Sequence, residues 1–439
     1  MNCLEKDNIP AGYKDSAVGI IPQEWEVKPF KNLGTFLRTN TLSREHMNNV
    51  DGLALNIHYG DVLVRYGEIL DCSKTAIPWV NNSCRETRLG DRLQNGDIVI
   101  SDTAEDYTVG KATEVCNVGN NCVLSGLHTM AFRPPKETFA LRYLGYYFNS
   151  PAYRAQLYSL IQGIKVCSIS KSAISNTYIP VPPMEEQRKI AEILGVWDEA
   201  IEKQSRLIER LEVCKRALMQ RLLSGRTHLP GFTTPWQKIK LGEIGKFEKG
   251  AGVPKDKITS SGCKAITYGE IYTKYNYVIN NFASYIDEET ARESKQISSG
   301  VILFAGSGET LEDIGKCVAF IDNDKAYAGG DIIIFNPTIE VDSLVLSYIL
   351  NSPIAIAQKR RYGQGHSVVH IYQKDLARIE FELPSLPEQK AIAEVLTTAD
   401  NEIAIHRKKL DALRIQKRGL MQQLLTGITR VKIQETLKL

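Results

Sequence analysis

The stretch EQRKIAEILGVWDEAIEKQSRLIERLEVCKRALMQRLLSG, at residues 186–225, returns 202 residues later as EQKAIAEVLTTADNEIAIHRKKLDALRIQKRGLMQQLLTG, at residues 388–427. The two stretches align without a gap, and 17 of the 40 positions are identical. A period of about 200 residues is far longer than the roughly 20 to 50 residues of a solenoid repeat. The chain is therefore predicted to be a duplicated half-protein.

Each copy of the repeat is predicted to be one long helix, over residues 184–228 and 387–427. Prolines stand where both helices begin, which suits the first turn of a helix, and Gly225 and Gly427 stand where a left-handed C-cap is expected. About 40 residues at ~1.5 Å per residue would make each helix roughly 60 Å long.

Apolar side chains in both helices advance in alternating steps of four and three residues, which is typical of a coiled-coil seam. Polar residues interrupt both seams at the same two places, Gln204 with His406 and Lys215 with Lys417. The predicted seam residues are Ile190, Leu194, Trp197, Ile201, Gln204, Ile208, Leu211, Lys215, Leu218, Leu222, Ile392, Leu396, Ala399, Ile403, His406, Leu410, Leu413, Lys417, Leu420 and Leu424.

Outside the helices, short apolar segments broken by Gly, Asn, Asp and Pro predict strands, with one helix around residues 140–160 or 343–360. NGDIVIS (95–101) resembles SGVILFA (299–305), and SGLHTMAFRP (125–134) resembles AGGDIIIFNP (328–337). The predicted fold class is α+β. Two globular α/β domains, residues 1–183 and 229–386, would be separated by two antiparallel coiled-coil helices with pseudo-two-fold symmetry, followed by a tail, residues 428–439.

Composition is that of an ordinary water-soluble protein, with 43% hydrophobic residues, 24% charged residues and a formal net charge of +3. No stretch reads as a secretory signal or approaches the ~18 apolar residues of a membrane span. Nine cysteines without a CxxC pair indicate free thiols in a reducing compartment. These features predict a cytoplasmic protein that does not contact a membrane.

The sequence carries no recognisable catalytic signature. It lacks a GxxxxGK[ST] phosphate loop, an HExxH pair and an amino-methyltransferase [DN]PP[YF] motif, and its seven histidines have no metal-ligand spacing. A protein without catalysis, cofactor or metal of its own is expected.

Two similar but non-identical domains on a spacer suit a ligand that offers two different sites at a fixed separation. Double-stranded DNA is such a ligand, because two-fold protein symmetry commonly mirrors the geometry of half-sites. The low net charge adds no support for nucleic-acid binding. A scaffold that joins protein partners through its coiled coil, without DNA, fits the same layout.

The EQxxIAExL opening and KRxLMQxLLxG ending of each helix, with the segments GDIVISDTAEDYTVGK (96–111) and GVILFAGSGETLEDIGK (300–316), resemble the specificity subunits of type I restriction–modification enzymes over residues 20–427. The resemblance implies two target recognition domains that read a bipartite, asymmetric double-stranded DNA target. A recognition subunit of a related enzyme with fused methylase and nuclease is the other reading.

The resemblance also implies the partners. Two methyltransferase subunits and two restriction subunits would assemble on this chain, to give a type I restriction endonuclease and adenine-N6 DNA methyltransferase. S-adenosylmethionine, ATP and Mg²⁺ would bind those partners, and the repeated helix residues are expected to face them.

Candidate DNA contacts lie in the loops that follow the matched strands, in two later loops that each open with Gln-Gly, and in a basic cluster, Lys359, Arg360 and Arg361, that suits contacts with the DNA backbone. Carboxylates can accept from cytosine N4, whereas lysine, arginine and hydroxyl groups can contact bases or phosphates. A solvated loop held by its own side-chain hydrogen bonds, or a solvated charged helix face, is the alternative for these segments. The candidates are Thr103, Glu105, Asp106, Lys111, Lys165, Ser168, Ser170, Lys171, Ser307, Glu309, Thr310, Lys316, Lys359, Arg360, Arg361, His366, Ser367, His370 and Lys374.

Overall fold

The chain folds into two compact units in a computed structural model that describes residues 9–84, 89–365 and 368–432. Unit 1 comprises Met1–Ser205 and Lys409–Leu439, and unit 2 comprises Arg206–Lys408. Each unit therefore contains one globular half together with parts of both long helices. The candidates His366 and Ser367, and residues 433–439 of the predicted tail, lie outside the described residues.

The first half of the chain alternates short strands with short helices. Its strands are β1 (Tyr13–Lys14), β2 (Ile21–Pro22), β3 (Glu26–Pro29), β4 (Thr35–Leu37), β5 (Met47–Asn48), β6 (Leu55–Ile57), β7 (Ile69–Asp71), β8 (Trp79–Val80), β9 (Ile98–Ser101), β10 (Thr103–Ala104), β11 (Ala112–Cys116), β12 (Val123–Ser125), β13 (Thr129–Arg133), β14 (Cys167–Ser168) and β15 (Tyr178–Val181). Its helices are α1 (Tyr59–Val64), α2 (Tyr143–Phe148), α3 (Pro151–Leu157) and α4 (Lys171–Ser175), and the first long helix, α5 (Met184–Leu222), follows.

Two main sheets form the globular part of unit 1. One has the strand order β4-β13-β9-β11-β7 and the other has the order β12-β6-β8-β5. Nearly every residue of β9, β11 and β13 is buried, including the polar Thr113 and Glu114 of β11. The main core also contains Trp25, Phe30, Tyr143 and Phe148, which have an exposed fraction of 0%.

The second half repeats this plan. Its strands are β16 (Gln237–Lys240), β17 (Gly245–Lys249), β18 (Cys263–Ile266), β19 (Ser284–Ile286), β20 (Lys295–Ile297), β21 (Val301–Ala305), β22 (Ser307–Gly308), β23 (Cys317–Phe320), β24 (Ala326–Ala328), β25 (Ile332–Pro337), β26 (Val369–His370) and β27 (Glu380–Leu383). Its helices are α6 (Tyr268–Thr273), α7 (Glu288–Glu293), α8 (Ser343–Leu350), α9 (Pro353–Tyr362) and α10 (Gln373–Leu376), and the second long helix is α11 (Leu386–Leu425).

The two main sheets of unit 2 have the orders β17-β25-β21-β23 and β19-β18-β24-β20. The central β13-β9-β11 order of unit 1 thus recurs as β25-β21-β23. The predicted matches of 95–101 with 299–305 and of 125–134 with 328–337 are strands in equivalent places of the two sheets.

The single helix predicted around 140–160 or 343–360 is wrong, because each half has two helices there. The chain breaks at Asn149-Ser150-Pro151 and at Asn351-Ser352-Pro353. Each serine is an N-cap that accepts from the backbone amide three residues on, and each proline occupies the first turn. Each asparagine bonds both backbone groups of one strand residue, Ala112 or Cys317, so the break anchors the helices to the sheet.

The two long helices are present, and α5 ends at Leu222, short of the predicted residue 228. Gly225 and Gly427 adopt φ of 67° and 72°, the left-handed conformation expected of them just beyond each helix. No helix among the described residues is long and apolar enough to cross a membrane.

All twenty predicted seam residues are buried or half-buried. In unit 1, Ile190 and Leu194 of α5 belong to the same core cluster as Leu424 of α11. In unit 2, Leu222 of α5 shares a core cluster with Ile392 of α11. The beginning of one helix and the end of the other thus contribute to one core in each unit, whereas the continuous coiled coil stays a prediction.

Candidate nucleic-acid interface

The two candidate loops of unit 1 meet in a short antiparallel ladder. Thr103 of β10 pairs with Ser168 of β14, and Ala104 pairs with Cys167. Residues separated by 65 positions in the chain are therefore brought side by side at the surface. Sequence reasoning named both loops, but the strand pairing that joins them came only from the structure.

The acidic loop that follows β10 is held by its own hydrogen bonds. Asp106 accepts from the backbone amide of Thr108 at 2.8 Å and from its hydroxyl, which lowers the pKa of the Asp106 carboxyl. The Arg154 guanidinium donates to the carbonyl oxygens of Val109, at 2.6 Å, and Tyr107. Asp106 thus shapes the loop, while Glu105 is exposed and free to face a ligand.

The second loop of unit 1 is a narrow hairpin. Gln162 and Ser168 exchange backbone hydrogen bonds of 2.8 and 2.9 Å, and Gly163 turns the chain with φ of 99°. The turn leaves Lys165 exposed at its tip. A lysine at the end of a projecting hairpin suits contact with phosphate oxygens.

Two further candidates lie directly after this hairpin. Ser170 is the N-cap of α4 and accepts from the amide of Ala173 at 3.1 Å, so its hydroxyl has a structural role. Lys171 is exposed, with its ammonium 5.4 Å from the centre of the Phe36 ring. Only Lys171 of the two is available to a ligand without disturbing a helix end.

The Gly-Lys pair shared by both halves ties a sheet to a helix. Lys111 donates to the carbonyl of Leu63 at 2.8 Å, and Lys316 donates to the carbonyls of Tyr272 and Tyr275 at 3.2 and 2.8 Å. Burial lowers the pKa of both ammonium groups. Both lysines thus bind carbonyl groups at helix ends. This structural role explains why the Gly-Lys pair occurs in both halves, and no ligand is needed to explain it.

Unit 2 brings its candidate loops together in the same way. Ser307 of β22 pairs with His370 of β26, and the Ser307 hydroxyl lies 3.0 Å from His370 Nδ1. Both residues line a cleft of about 540 Å³, with Lys249, Asp331 and Lys374 also on its wall. The cleft combines hydroxyl, imidazole, ammonium and carboxylate groups, which can distinguish the polar edges of bases.

Lys359 requires a correction, because the structure buries it with an exposed fraction of 1%. Its ammonium donates to the carbonyl of Gly315 at 2.7 Å, inside the unit. The neighbouring Arg360 forms an ion pair of 2.9 Å with Glu312, and Arg361 is exposed. The predicted basic cluster is therefore reduced to Arg361 and a neutralised Arg360.

Two other candidates of unit 2, Glu309 and Thr310, are exposed directly after β22. Their position matches that of the acidic loop after β10 in unit 1. The two halves thus present different side chains on matching parts of the fold.

The polar seam residues Lys215 and Lys417 form matching ion pairs, each within one unit. Lys417 lies 2.5 Å from Asp198 and 2.9 Å from Glu68 in unit 1. Lys215 contacts Asp400 in unit 2. Asp198 and Asp400, like the two lysines, occupy equivalent positions of the repeat.

A tyrosine of the globular half completes each set. Tyr146 donates to Asp198 and its ring lies 5.2 Å from the Lys417 ammonium. Tyr348 donates to Asp400 and its ring lies 5.3 Å from the Lys215 ammonium. These sets attach each globular half to helix segments of its own unit.

The repeated Glu-Gln pair that opens each long helix faces the chain's own globular halves. Glu186 accepts from the Trp25 indole at 2.9 Å, and Glu388 accepts from the Trp236 indole at 3.0 Å. Gln187 accepts from the amide of Ala140 at 2.9 Å. The expectation that the repeated residues face partners is therefore wrong for these positions, because internal packing already uses them.

Sequence reasoning missed His128 and its neighbour Asp102 in the unit 1 interface. His128, in the turn before β13, adopts φ of 54°, and its Nδ1 lies 3.3 Å from the Thr103 hydroxyl. The match of 125–134 with 328–337 places His128 opposite Asp331, a difference that could have marked it. Metal-ligand spacing among the histidines gives no signal for this residue.

Among the described residues, no group of three or more His, Cys, Asp or Glu side chains is arranged to hold a metal ion. The described cysteines are free.

Comparison with known proteins gives a consistent result. The family model of the type I restriction modification DNA specificity domain matches residues 22–213 and again residues 234–414. The predicted type I restriction enzyme MjaX specificity subunit of Methanocaldococcus jannaschii is 26% identical over 444 residues, covering 96% of this chain and 97% of that protein. The EcoKI specificity subunit of Escherichia coli is 23% identical over 237 residues, covering 51% of this chain and 47% of that protein.

Solved structures share the fold. A chain from a structure concerned with complex assembly and conformational transition of the type I R-M system has a TM-score of 0.59 at 16% identity, covering 93% of this chain and 99% of that chain. The type I restriction–modification S subunit from M. genitalium has a TM-score of 0.51 at 14% identity, covering 93% and 97%. With two specificity domains matched along most of its length, the chain belongs to the family of type I restriction–modification specificity subunits, and its function is DNA sequence specificity.

Proposed function

We propose that the two units read the two different halves of a bipartite, asymmetric double-stranded DNA target. The observation that carries this proposal is that β10–β14 and β22–β26 join matching pairs of loops whose side chains differ. A shared backbone with different side chains suits two domains that do the same task on different base sequences.

The two long helices act as an antiparallel coiled coil that sets the gap between the half-sequences. The 3.5-residue period supports this role, and so does the finding that all twenty seam positions are buried or half-buried. The chain itself is non-catalytic. Methyl transfer with S-adenosylmethionine, and cleavage with ATP and Mg²⁺, belong to partner subunits.

Two methyltransferase subunits dock on the repeated residues that remain exposed. Glu192 and Arg418 are such residues in unit 1, and Arg216 and Glu394 are their counterparts in unit 2. Each unit therefore offers the same pair of charges from the beginning of one helix and the end of the other. Internal packing does not explain why exposed residues are repeated. Their repetition therefore supports the binding of two identical partners.

The recognition role is tested by replacing residues 230–380 with the corresponding segment of another specificity subunit. Single-molecule sequencing of a strain that carries the methyltransferase partner should show a motif with one altered half-sequence. An alteration of both half-sequences would contradict independent reading by the two units. Absence of any motif that depends on this chain would contradict the recognition role itself.

The spacing role is tested by inserting residues between positions 226 and 229, just after α5. The gap in the methylated motif should lengthen while both half-sequences stay the same. The matched control inserts the same residues at the exposed Gly119-Asn120 turn, where the gap should not change. An unchanged gap after the first insertion would refute the spacing role.

The docking role is tested by the double variant Arg216→Glu/Arg418→Glu. Copurification with the methyltransferase should fall by tenfold or more. The reason is that each substitution replaces a positive charge at the proposed contact with a negative one. The double variant Arg210→Glu/Arg414→Glu makes the same charge change at exposed, unrepeated positions of the same helices. Equal loss in both double variants would show that the repeated arginines have no special role.

A further inference from the structure

In each unit, the backbone of one residue just before β10 or β22 hydrogen-bonds to two other segments. These are the turn before β13 or β25 and the residue just after β14 or β26. In unit 1 the amide of Asp102 donates to His128 at 3.1 Å, and its carbonyl accepts from Ile169 at 2.9 Å. In unit 2 the amide of Gly306 donates to Asp331 at 2.9 Å, and its carbonyl accepts from Ile371 at 3.0 Å. The backbone arrangement is shared and the side chains differ.

Unit 1 places a polar cluster on this frame. The Thr103 hydroxyl donates to Asp102 Oδ1 at 2.8 Å. Nδ1 of His128 lies 3.4 Å from the same carboxylate oxygen and 3.3 Å from Thr103 Oγ1. The imidazole and the Tyr59 ring pack edge to face with their centres 5.3 Å apart, and 47% of the His128 side chain is exposed.

These contacts determine which nitrogen of the neutral imidazole carries the proton. The hydroxyl proton of Thr103 is directed to Asp102, so both neighbours present only lone pairs to His128. Nδ1 must therefore carry the hydrogen and donate. Nε2 of the half-exposed ring is left as a hydrogen-bond acceptor.

We propose that His128 is a specificity-determining residue that accepts a hydrogen bond at Nε2 from an exocyclic amino group of the target, adenine N6 or cytosine N4. In the major groove these two amino groups are the donors, whereas guanine and thymine present only acceptors there. Asp102 is a positioning residue that sets the tautomer. The inference rests on the proposed reading of one half-sequence by unit 1.

The backbone at His128 supports this role. A φ of 54° is uncommon for a residue with a Cβ, and such strain is concentrated at functional sites. Glycine would adopt this φ without strain. The His128 side chain is 47% exposed, so it is not part of the hydrophobic core beneath the turn.

The test uses the full chain with its methyltransferase partner, the variants His128→Gly and Asp102→Asn, and methylome sequencing. His128→Gly should relax one position of one half-sequence, raising methylation of sites with another base there about tenfold relative to the wild-type sites. In Asp102→Asn the amide can donate to Nδ1 and leave Nε2–H as a donor. The preferred base at that same position should then shift towards guanine or thymine.

His46→Ala is the matched control, because this histidine lies in the same unit with 42% of its side chain exposed. It should leave the motif unchanged. Should His128→Gly fail to fold, His128→Asn is the second variant, because asparagine also tolerates the left-handed conformation. Its side chain is too short to reach the base, so this variant must relax the same position of the half-sequence.

Three outcomes would overturn the inference. The first is an unchanged motif in a folded His128→Gly protein, and the second is relaxation in the half-sequence read by unit 2. The third is loss of all methylation by a folded variant, since one hydrogen bond changes the preference for a base only about tenfold. A wild-type chain that directs no motif would instead contradict the proposed function.

Discussion

The ammonium nitrogen of Lys417 lies 2.5 Å from a carboxylate oxygen of Asp198, and this contact joins two positions of the long helices within unit 1. Only 5% of Lys417 is exposed. The counterparts Lys215 and Asp400 make the same contact within unit 2. A buried lysine is stable only when its charge is compensated, so each pair restricts which helix segments can pack together.

Replacing Lys417 with methionine should lower the free energy of unfolding of unit 1 by about 2–4 kcal/mol, because Asp198 and Glu68 would keep their charges without a cation. Urea denaturation at pH 7 measures this loss. Lys409→Met, at an exposed position of the same helix, should cost less than about 0.5 kcal/mol.

The same variant should show a pH dependence. In the wild type, burial raises the pKa of Glu68, but the charge and hydrogen bond of Lys417, together with a backbone hydrogen bond and the Lys111 charge, bring this pKa below the ordinary 4.5. Without Lys417 the pKa of Glu68 rises above its unfolded value, so protonation favours the folded state. The difference from wild type should therefore shrink between pH 7 and pH 4, and a constant difference would contradict this account.

Arg430 should contribute to the stability of unit 1 although it lies beyond α11. Its guanidinium bonds both carboxylate oxygens of Glu186, at 2.8 and 2.9 Å, and contacts Glu24 at 2.6 Å. Because Glu186 is fully buried, Arg430→Met should cost about 2 kcal/mol. Thermal unfolding checks this value, and Arg226→Met, at an exposed arginine just beyond α5, is the control.

Glu114 should make unit 1 less stable as the pH rises from 5 to 7. Burial raises the pKa of this carboxyl from 4.5 to about 7, although the amides of Arg142 and Gly145 donate to it and favour the charged form. In this range the folded state holds a proton that the unfolded state has lost, so stability falls as pH rises, by up to about 3 kcal/mol.

Substitution by glutamine removes this titration. Unfolding free energies of Glu114→Gln measured at pH 5, 6 and 7 should lack the decline, whereas Glu137→Gln, at an exposed position, should keep it. An identical decline in both variants would assign the pH dependence to another group.

Asn149 should be as important to unit 1 as a core residue. Its side chain bonds both backbone groups of Ala112, at 3.2 and 2.7 Å, and the carbonyl of Gly145 at 2.8 Å. Asn149→Ala leaves these buried groups without partners and should cost about 2–3 kcal/mol. Equilibrium unfolding should show a much smaller effect for Asn120→Ala, at an exposed turn.

The sequence alone predicted the duplication, the long helices, the inner strands and the family. These features depend on residue spacing along the chain, which a helix or strand converts directly into a buried face. The full or partial burial of the twenty seam positions follows from the same spacing. Gln204 and Lys215 are buried, although composition alone would have placed them at the surface.

The tertiary structure decided which distant residues meet. Lys359 is buried beside Gly315, Glu186 faces Trp25, and Thr103 lies against Ser168 because the strands and helices that carry them pack together. No local period encodes such pairings, since they depend on how segments far apart in the chain are brought into contact. The repeated sequence therefore determined the framework of both units, whereas only their folding decided which repeated side chains face inward and which stay exposed.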